Sequence, residues 1–214
     1  PPAAVRRARK RQLEPGVFSG SEAEPLYGDT YLPRKFKVAV TVPGDNSVDL
    51  LTQDIGLVAF TDPSGNLRGC NVYVGGGMGR THNKEETFAR IADPLGYVDA
   101  ADVFDLLQAI VALQRDHGDR RIRRHARMKY LLEDRGIAWF RNELKTNYFS
   151  RPLKGLRNEP KPKLLDYLGW HRQKAGLWFV GLPLLCGRLK GEMKQGLRAI
   201  VDTYQLEIRL TANQ

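Results

Sequence analysis

Short β-branched runs separated by turn sequences fill residues 35–77, and this alternation constrains the fold more than any other feature of the chain. The predicted strands are KFKVAVTV, GLVAFTD and LRGCNVYVGGG, and the turns between them are PGDNS and PSGN. Helical periodicity replaces this pattern from residue 99 onward. Strands followed by helices in one continuous segment predict an α+β domain, with the three strands arranged as a β meander.

Three helices are predicted after the strands. The first begins at a capping Asp99 and ends at Gly118, the second covers about residues 120–135 and ends at Gly136, and the third is IAWFRNELKTNY. We therefore expect the α+β domain to occupy residues 31–148.

The flanking segments have a different composition. Residues 1–30 lack apolar periodicity, and their arginine-rich start fits the remnant of a transit peptide or a basic linker; we expect a linker, because an initiating Met and a Ser-rich region are absent. Residues 149–163 are rich in proline and cations and are predicted to be a second linker. Residues 164–214 predict a hairpin turning at Ala175 and Gly176, a short strand CGRLKG, an amphipathic helix and a final alternating strand LEIRLTANQ, which is half of a ferredoxin-like unit.

The charge of the chain favours an anionic partner. Lys and Arg number 34 against 24 Asp and Glu, for a formal net charge of +10, which attracts phosphates, carboxylates, oxyanions, nucleic acid or an acidic protein. Cys70 and Cys186 are far apart and the histidines show no ligand spacing, so the sequence predicts neither a disulfide framework nor a purely protein-built metal site. Two cysteines favour a reducing compartment, and no apolar run is long enough to cross a bilayer.

Lys35 and Lys37 are the first candidates for binding an anion. On a strand that begins at Lys35, both ammonium groups would lie on one face and Phe36 on the other. Neighbouring cations repel each other and need a shared anion or water. A frayed strand end in solvent is the alternative, but the alternating valines that follow predict a strand buried on both faces and so favour a bound anion.

A second group of cations follows the first predicted helix. Arg120, Arg123, Arg127 and Tyr130 have the spacing of one helical stripe. A charged stripe is usually a solvated face, yet that role is already filled by the intervening Arg121, Arg124, His125 and Lys129. A polyanionic ligand would explain the additional stripe.

The segment GGGMGRTHN, residues 75–83, is the third candidate. Gly75, Gly76 and Gly77 permit close approach of the backbone to a ligand and can expose N–H groups. Glycines that merely turn the chain after a strand are the alternative, and neither a GxGxxG nor a P-loop pattern is present. Because no nucleophile motif or carboxylate pair stands out, the chemistry of such a site depends on a cofactor.

Three stretches of the sequence resemble one enzyme family: LPRKFKVAVTVPGDNSVDLLTQDIGLVAF, NVYVGGGMGRTH and QRDHGDRRIRRHARMKYLLEDRG. The chain is similar over residues 24–214 to the siroheme-containing sulfite and nitrite reductases, most closely to the ferredoxin-dependent sulfite reductases. The resemblance implies a siroheme-binding α+β domain, with a mixed sheet and helices, followed by an incomplete ferredoxin-like half-domain. It also implies siroheme coupled to a 4Fe-4S cluster, and the reduction of sulfite to sulfide with electrons from ferredoxin.

The resemblance assigns roles to the candidate residues. Lys35 and Lys37 would hold the sulfite oxyanion and support proton delivery, Arg34 would pair with siroheme carboxylates, and Arg127 would be a further catalytic cation. Lys37 favours sulfite as the substrate, because nitrite reductases resemble PRKWN at this point. Further cofactor contacts are implied for Lys35, Lys37, Gly75, Gly76, Gly77, Arg120, Arg123, Arg127 and, in the RLTANQ motif, Arg209 and Asn213.

The chain departs from the family at the cluster ligands. The family uses four cysteines in two closely spaced pairs, which follow the segment that RLTANQ resembles, and Cys70 and Cys186 do not match them. The N-terminal half-domain of the family is also missing. We therefore expect a partial chain that does not reduce sulfite alone, from a bacterial cytoplasm or a plastid stroma and without a membrane partner. A nitrite reductase of the same family, a degenerate paralogue and a basic nucleic-acid-binding module are the alternatives.

Overall fold

The computed structural model describes residues 24–163, 167–173 and 176–210, which form two compact units. Unit 1 comprises the described residues up to 44 and residues 49–162, and unit 2 comprises residues 45–48 and those from 163 onward. Most of the predicted N-terminal linker lies outside the described residues. No helix in these ranges is long and apolar enough to span a membrane.

Unit 1 contains a four-stranded mixed sheet in the order β1-β2-β3-β4. β1 pairs in parallel with β2, whereas β2, β3 and β4 pair antiparallel. The α+β class and the mixed sheet are confirmed, but a meander is wrong for the first connection, because parallel neighbours require the chain to cross back to the same end of the sheet. A 3-10 turn, Leu50–Thr52, lies in that crossover. The strands are Val38–Thr41 (β1), Ile55–Thr61 (β2), Leu67–Val74 (β3) and Asp93–Asp99 (β4).

β1 is shorter and more exposed than the sequence predicts. Lys35 and Lys37 precede the strand, so the two lysines do not share a strand face by period-two alternation. Val38 and Val40 are 48% and 55% exposed, so burial on both faces is also wrong. The physical reason is position: β1 is an edge strand, and within unit 1 one of its faces is uncovered.

Two helices pack on the sheet to form the core of unit 1. The first, α1 (Val103–His117), ends at Gly118 as predicted, but a 3-10 turn, Ala100–Asp102, separates it from Asp99, which makes no side-chain cap. The second, α2 (Met128–Glu143), runs into a single π turn. The buried core residues of these helices and the sheet include Leu106, Ile110, Leu113, Met128, Leu132, Phe140, Ile55, Val72 and Val74.

α2 begins later than the predicted second helix. The Asp119 side chain accepts hydrogen bonds from the N–H groups of Arg121 and Ile122, at 2.7 and 3.0 Å. Such an Asx turn competes with helix formation, and the loop before α2 contains only a short 3-10 turn, Arg123–His125. The break predicted at Gly136 is confirmed, because that residue has φ 78° and ψ 157° inside α2.

The segment after α2, predicted as a linker, packs along the sheet. Tyr97 of β4 exchanges two backbone hydrogen bonds with Lys154, at 2.9 and 3.0 Å. The buried side chain of Asn71 bonds the C=O and N–H of Arg157, each at 2.8 Å. β4 itself was not predicted, because Pro94 weakens the strand signal, although an edge strand tolerates a proline.

Unit 2 consists of a hairpin and a helix. β5 (Gly169–Arg172) pairs antiparallel with β6 (Trp178–Gly181), and α3 spans Gly191–Tyr204. The hairpin and the amphipathic helix are confirmed, although Lys174 and Ala175 of the turn lie outside the described residues. The predicted strand CGRLKG is wrong, since a 3-10 turn (Leu185–Gly187) begins there, and residues 206–210 form no strand either. A strand needs a neighbour to pair with, and none accompanies these segments in the described part of unit 2.

Candidate active site around Asp54

One buried carboxylate brings two predicted site residues together. Asp54 lies directly before β2, and its side chain is completely buried. Its Oδ2 accepts one hydrogen bond from the backbone N–H of Lys37 and another from Nη2 of Arg127, both at 2.9 Å. The C=O of Lys37 in turn accepts the N–H of Ile55 at 3.0 Å. Lys37 and Arg127, which are far apart in sequence, are therefore anchored to the same group.

This ion pair retains unused hydrogen-bonding capacity. Burial raises the pKa of Asp54, and the Arg127 guanidinium and the N–H of Lys37 oppose that rise. Among the described residues, Asp54 Oδ1 and Arg127 Nε have no hydrogen-bond partner. A buried polar atom without a partner costs about 1–3 kcal/mol. The pair therefore has one acceptor, Asp54 Oδ1, and one donor, Arg127 Nε, whose hydrogen bonds are not yet made.

The predicted cations before β1 are exposed. Arg34, Lys35 and Lys37 all lie on the surface, and their side chains have no hydrogen bond or ion pair with the described chain. Phe36 between the lysines packs against the core of unit 1. The segment is thus fixed by an apolar side chain and by the backbone of Lys37, while its charged groups stay free to meet an anion.

The glycine run, residues 75–77, allows the loop to pack closely, but it offers no free N–H groups to a ligand. Gly75, Gly76 and Gly77 are buried, and each N–H is already bonded within the protein. The expectation that these groups are available to a ligand is therefore wrong, because the loop uses them to pair with its neighbours. Their acceptors are the main-chain oxygens of Asp54, Gln53 and Arg90, at 2.9, 2.9 and 2.8 Å.

Side chains at these glycines would collide with the site. A Cβ at Gly76 would lie 2.2 Å from the carbonyl oxygen of Leu51, and a Cβ at Gly77 would lie 2.8 Å from Nη1 of Arg127. Arg127 also reaches the carbonyl oxygen of Gly76 from Nη2, at 3.3 Å. Gly77 is needed so that the Arg127 guanidinium can lie against the loop, and Gly76 is needed so that the loop can pack against the backbone of Leu51.

The three arginines predicted as one helical stripe occupy different positions. Arg127 precedes α2 with extended backbone and faces Asp54, and Arg123 is exposed in the 3-10 turn without a described partner. Arg120 donates to the carbonyl oxygens of Thr30 and Tyr31, at 2.9 and 2.5 Å. Arg120 therefore ties its loop to the segment that leads into Arg34, and the single stripe is wrong because no helix spans these residues.

Lys129, which was predicted to lie on a solvated face, is buried next to this site. It is only 1% exposed, and its Nζ donates to the carbonyl oxygens of Gly77 and Gly79, at 3.2 and 2.6 Å, and to that of Phe88. Burial, and then the charge of Arg127, lower the pKa of Lys129. The signal that could have revealed it is its place in MKYLL, a cation inside an apolar run.

Replacing Lys129 with methionine is expected to destabilise the protein by about 2 kcal/mol, because up to three carbonyl oxygens lose a charged donor. Urea unfolding of the purified protein measures the change. The exposed Lys145, substituted in the same way, serves as the control and should change stability by less than about 0.5 kcal/mol. Equal stability of the Lys129→Met variant and the unmodified protein would contradict the anchoring role.

The described residues contain no group of three or more His, Cys, Asp or Glu that could hold a metal ion. Cys70 is buried and Cys186 is exposed, and both are free thiols. Arg209, the described member of the RLTANQ motif, is exposed and pairs with Glu207 at 2.7 Å. Asn213, the other candidate in that motif, lies outside the described residues.

Comparison with protein families gives two matches. Residues 11–153 match the nitrite and sulphite reductase 4Fe-4S domain, and residues 171–214 match the nitrite/sulfite reductase ferredoxin-like half domain. The second match covers the helix of unit 2 and its hairpin from the second half of β5 onward. Together the matches support the assignment of an α+β domain followed by part of a ferredoxin-like half-domain.

Individual relatives agree with the family matches. The chain is 56% identical, over all of its length, to sulfite reductase [ferredoxin] of Synechococcus elongatus, of which it covers 34%. It is 40% identical, over 90% of its length, to sulfite reductase [NADPH] subunit beta of Saccharomyces cerevisiae, of which it covers 14%.

A solved structure gives the same answer. The NirA protein of Mycobacterium tuberculosis matches 70% of this chain, with a TM-score of 0.58 and 34% identity, and 26% of NirA is covered. The chain thus spans about a third or less of the length of these proteins. The matches do not support a nucleic-acid-binding module. The chain belongs to the nitrite and sulphite reductase family.

Proposed function

We propose that this chain forms part of the active site of a sulfite reductase that uses siroheme and takes its electrons from ferredoxin. The observation that carries the proposal is the meeting at Asp54 of the Arg127 guanidinium and the peptide of Lys37, in a segment whose Lys35 and Lys37 side chains are exposed. Sulfite is a compact oxyanion, and the Arg127 guanidinium is a cation fixed by hydrogen bonds, which is the kind of group that stabilises such an anion. Nitrite reductases of the family resemble PRKWN at this point, with asparagine at the position of Lys37. The lysine therefore favours sulfite over nitrite as the substrate.

The electron donor is inferred from the degree of similarity. The relative with 56% identity is named for ferredoxin, and several relatives with 39–42% identity are named for NADPH. We infer ferredoxin as the donor because the ferredoxin-named enzyme matches the whole chain. Reduced ferredoxin should support sulfite reduction by the full-length protein, and NADPH alone should not.

Siroheme fits the residues that are present. This iron tetrapyrrole carries many carboxylates. The side chains of Arg34 and Arg123 are exposed, have no described partner and would hold these carboxylates. Unpartnered Arg127 Nε shows that this part of the chain has hydrogen-bonding capacity left for a polar group. When bound, siroheme supplies the redox-active iron. The described residues offer no set of ligands for the 4Fe-4S cluster, which we assign to the complete enzyme.

The chain's own residues would bind the substrate and move protons. Conversion of sulfite to sulfide removes its oxygens as water and therefore consumes protons as well as electrons. Lys35 and Lys37 would hold the oxyanion and donate protons to the departing oxygens. Arg127 would contribute charge and orientation, because a guanidinium is always protonated and is a poor proton donor.

Steady-state kinetics of the full-length protein with reduced methyl viologen test this function. We expect kcat/KM to be higher for sulfite than for nitrite, and we expect no turnover from this chain alone after incubation with siroheme. A preference for nitrite would favour the nitrite reductase alternative. Absence of turnover with both substrates, in protein that contains its full siroheme, would overturn the proposal.

A further inference from the structure

We propose that Asp54 is a positioning residue that sets the geometry of the oxyanion site by holding Lys37 and Arg127 at a single carboxylate oxygen. The inference rests on the proposed function, since it takes Lys37 and Arg127 as the groups that meet sulfite. Asp54 itself is completely buried, so its effect on substrate passes through the two cations.

The hydrogen bonds fix the guanidinium of Arg127 and the peptide from which the Lys37 side chain extends. The peptide of Lys37 is held by its N–H at Asp54 and by its C=O at Ile55. The Arg127 side chain is 12% exposed and is held at Nη2 by Asp54 and by the carbonyl oxygen of Gly76. One carboxylate oxygen is thus the common reference point for a backbone and a side chain that come from separate elements. Moving that oxygen would displace the Arg127 guanidinium and the Lys37 peptide together.

The charge of Asp54 is as important as its shape. Arg127 lies close enough to buried Lys129 to lower the pKa of that lysine, so two cations share this interior. One carboxylate thus faces the charges of Arg127, Lys129 and Lys37, which leaves an excess of positive charge for an anion. An asparagine would keep the size of the side chain but would present an amide N–H₂ group, a donor, in place of one acceptor oxygen. Asp54→Asn can keep its amide oxygen at the Oδ2 position, but it removes the charge that holds the Arg127 guanidinium and puts an N–H₂ donor where Oδ1, which has no partner, lies.

Kinetics of the siroheme-loaded full-length protein test the inference. For Asp54→Asn we expect kcat/KM for sulfite to fall about 10- to 100-fold, because misplacing a binding group by about 1 Å has an effect of this size, while siroheme content stays within about 20% of the unmodified protein. Asp116→Asn is the matched control, because Asp116 pairs with Arg115 at 2.7 Å and accepts from Tyr148 at 3.0 Å away from the site. That control should retain its sulfite kinetics within about twofold.

The same substitution in a second background separates positioning from general support of the fold. When Lys37→Ala and Arg127→Gln are already present, Asp54→Asn should change the remaining rate less than about twofold, because the two cations through which it acts on the substrate are gone, although the backbone N–H of residue 37 remains. An undiminished 10- to 100-fold loss in that background would overturn the inference. So would unchanged sulfite kinetics of Asp54→Asn alone.

Two further outcomes have definite meanings. If Asp54→Asn does not bind siroheme, Asp54→Glu, which keeps the charge, is measured in its place, and a loss in kcat/KM with siroheme retained supports the inference. If both variants lose siroheme and the Asp116 control does not, Asp54 serves folding alone and the inference is overturned. Failure of the unmodified protein to reduce sulfite would instead reject the proposed function.

Discussion

Replacement of both Lys35 and Lys37 by alanine should nearly abolish sulfite reduction by the full-length protein while most of its siroheme remains bound. Removal of one fixed donor to a reacting oxyanion lowers the rate about 10²- to 10³-fold. Since both ammonium groups lie on one short exposed segment and have no described partner, the double variant should lose at least about 10³-fold in kcat/KM. Siroheme absorbance and sulfite kinetics measure the two effects separately.

The chain contains a matched control for this substitution. Lys161 and Lys163 have the same spacing as the candidate pair and are also exposed. Their replacement by alanine removes the same charge and leaves the site untouched, so the kinetics should stay within about twofold of the unmodified protein. Unchanged sulfite kinetics in the Lys35/Lys37 variant, or equal losses in both variants, would contradict the assignment of this pair.

Substitution of Gly76 by alanine should disrupt unit 1. The added Cβ would lie 2.2 Å from the carbonyl oxygen of Leu51 and 2.8 Å from that of Gln53, and both of these atoms belong to the backbone. A backbone atom cannot rotate away as a flexible side chain can. We expect a loss of about 3 kcal/mol or more in the free energy of unfolding, together with a loss of siroheme, because the loop that carries Gly77 and contacts Arg127 must shift.

Gly79 provides the comparison within the same run. A Cβ at this position meets nothing within 4 Å, so Gly79→Ala should change stability by less than about 1 kcal/mol. Denaturant unfolding of the two variants, side by side, measures the difference. Equal stability of the Gly76 and Gly79 variants would contradict the close packing of Gly76 against the backbone of Leu51 and Gln53.

Local sequence patterns predicted the elements that depend on local chemistry. β2 and β3 appear as alternating apolar runs, and α1 ends at Gly118 as predicted. Gly136 breaks α2 because it adopts a positive φ, which other residues rarely do. These features need only the chain within a few residues of each position.

The elements that were mispredicted depend on distant partners. Whether the valines of β1 are buried is set by the place of that strand at the sheet edge, which periodicity does not report. The helical spacing of Arg120, Arg123 and Arg127 is overridden by the Asx turn at Asp119.

Two site residues could not be predicted from the sequence, because their partners are distant along the chain. Asp54 accepts hydrogen bonds from both Lys37 and Arg127 only in the folded chain. Lys129 is buried because carbonyl oxygens from a separate loop surround its ammonium group. The cations of the candidate site could be predicted from the sequence, whereas the groups that hold them in place are found only in the folded structure.

A crystal structure of the full-length protein with sulfite bound is the most direct test of the proposed oxyanion site. We expect the Nζ atoms of Lys35 and Lys37 and the guanidinium of Arg127 to lie within about 2.7–3.2 Å of sulfite oxygens. The hydrogen bonds of Asp54 to Lys37 and Arg127 should be retained in that complex. Sulfite bound elsewhere, with both ammonium groups in bulk solvent, would contradict the site described for this chain.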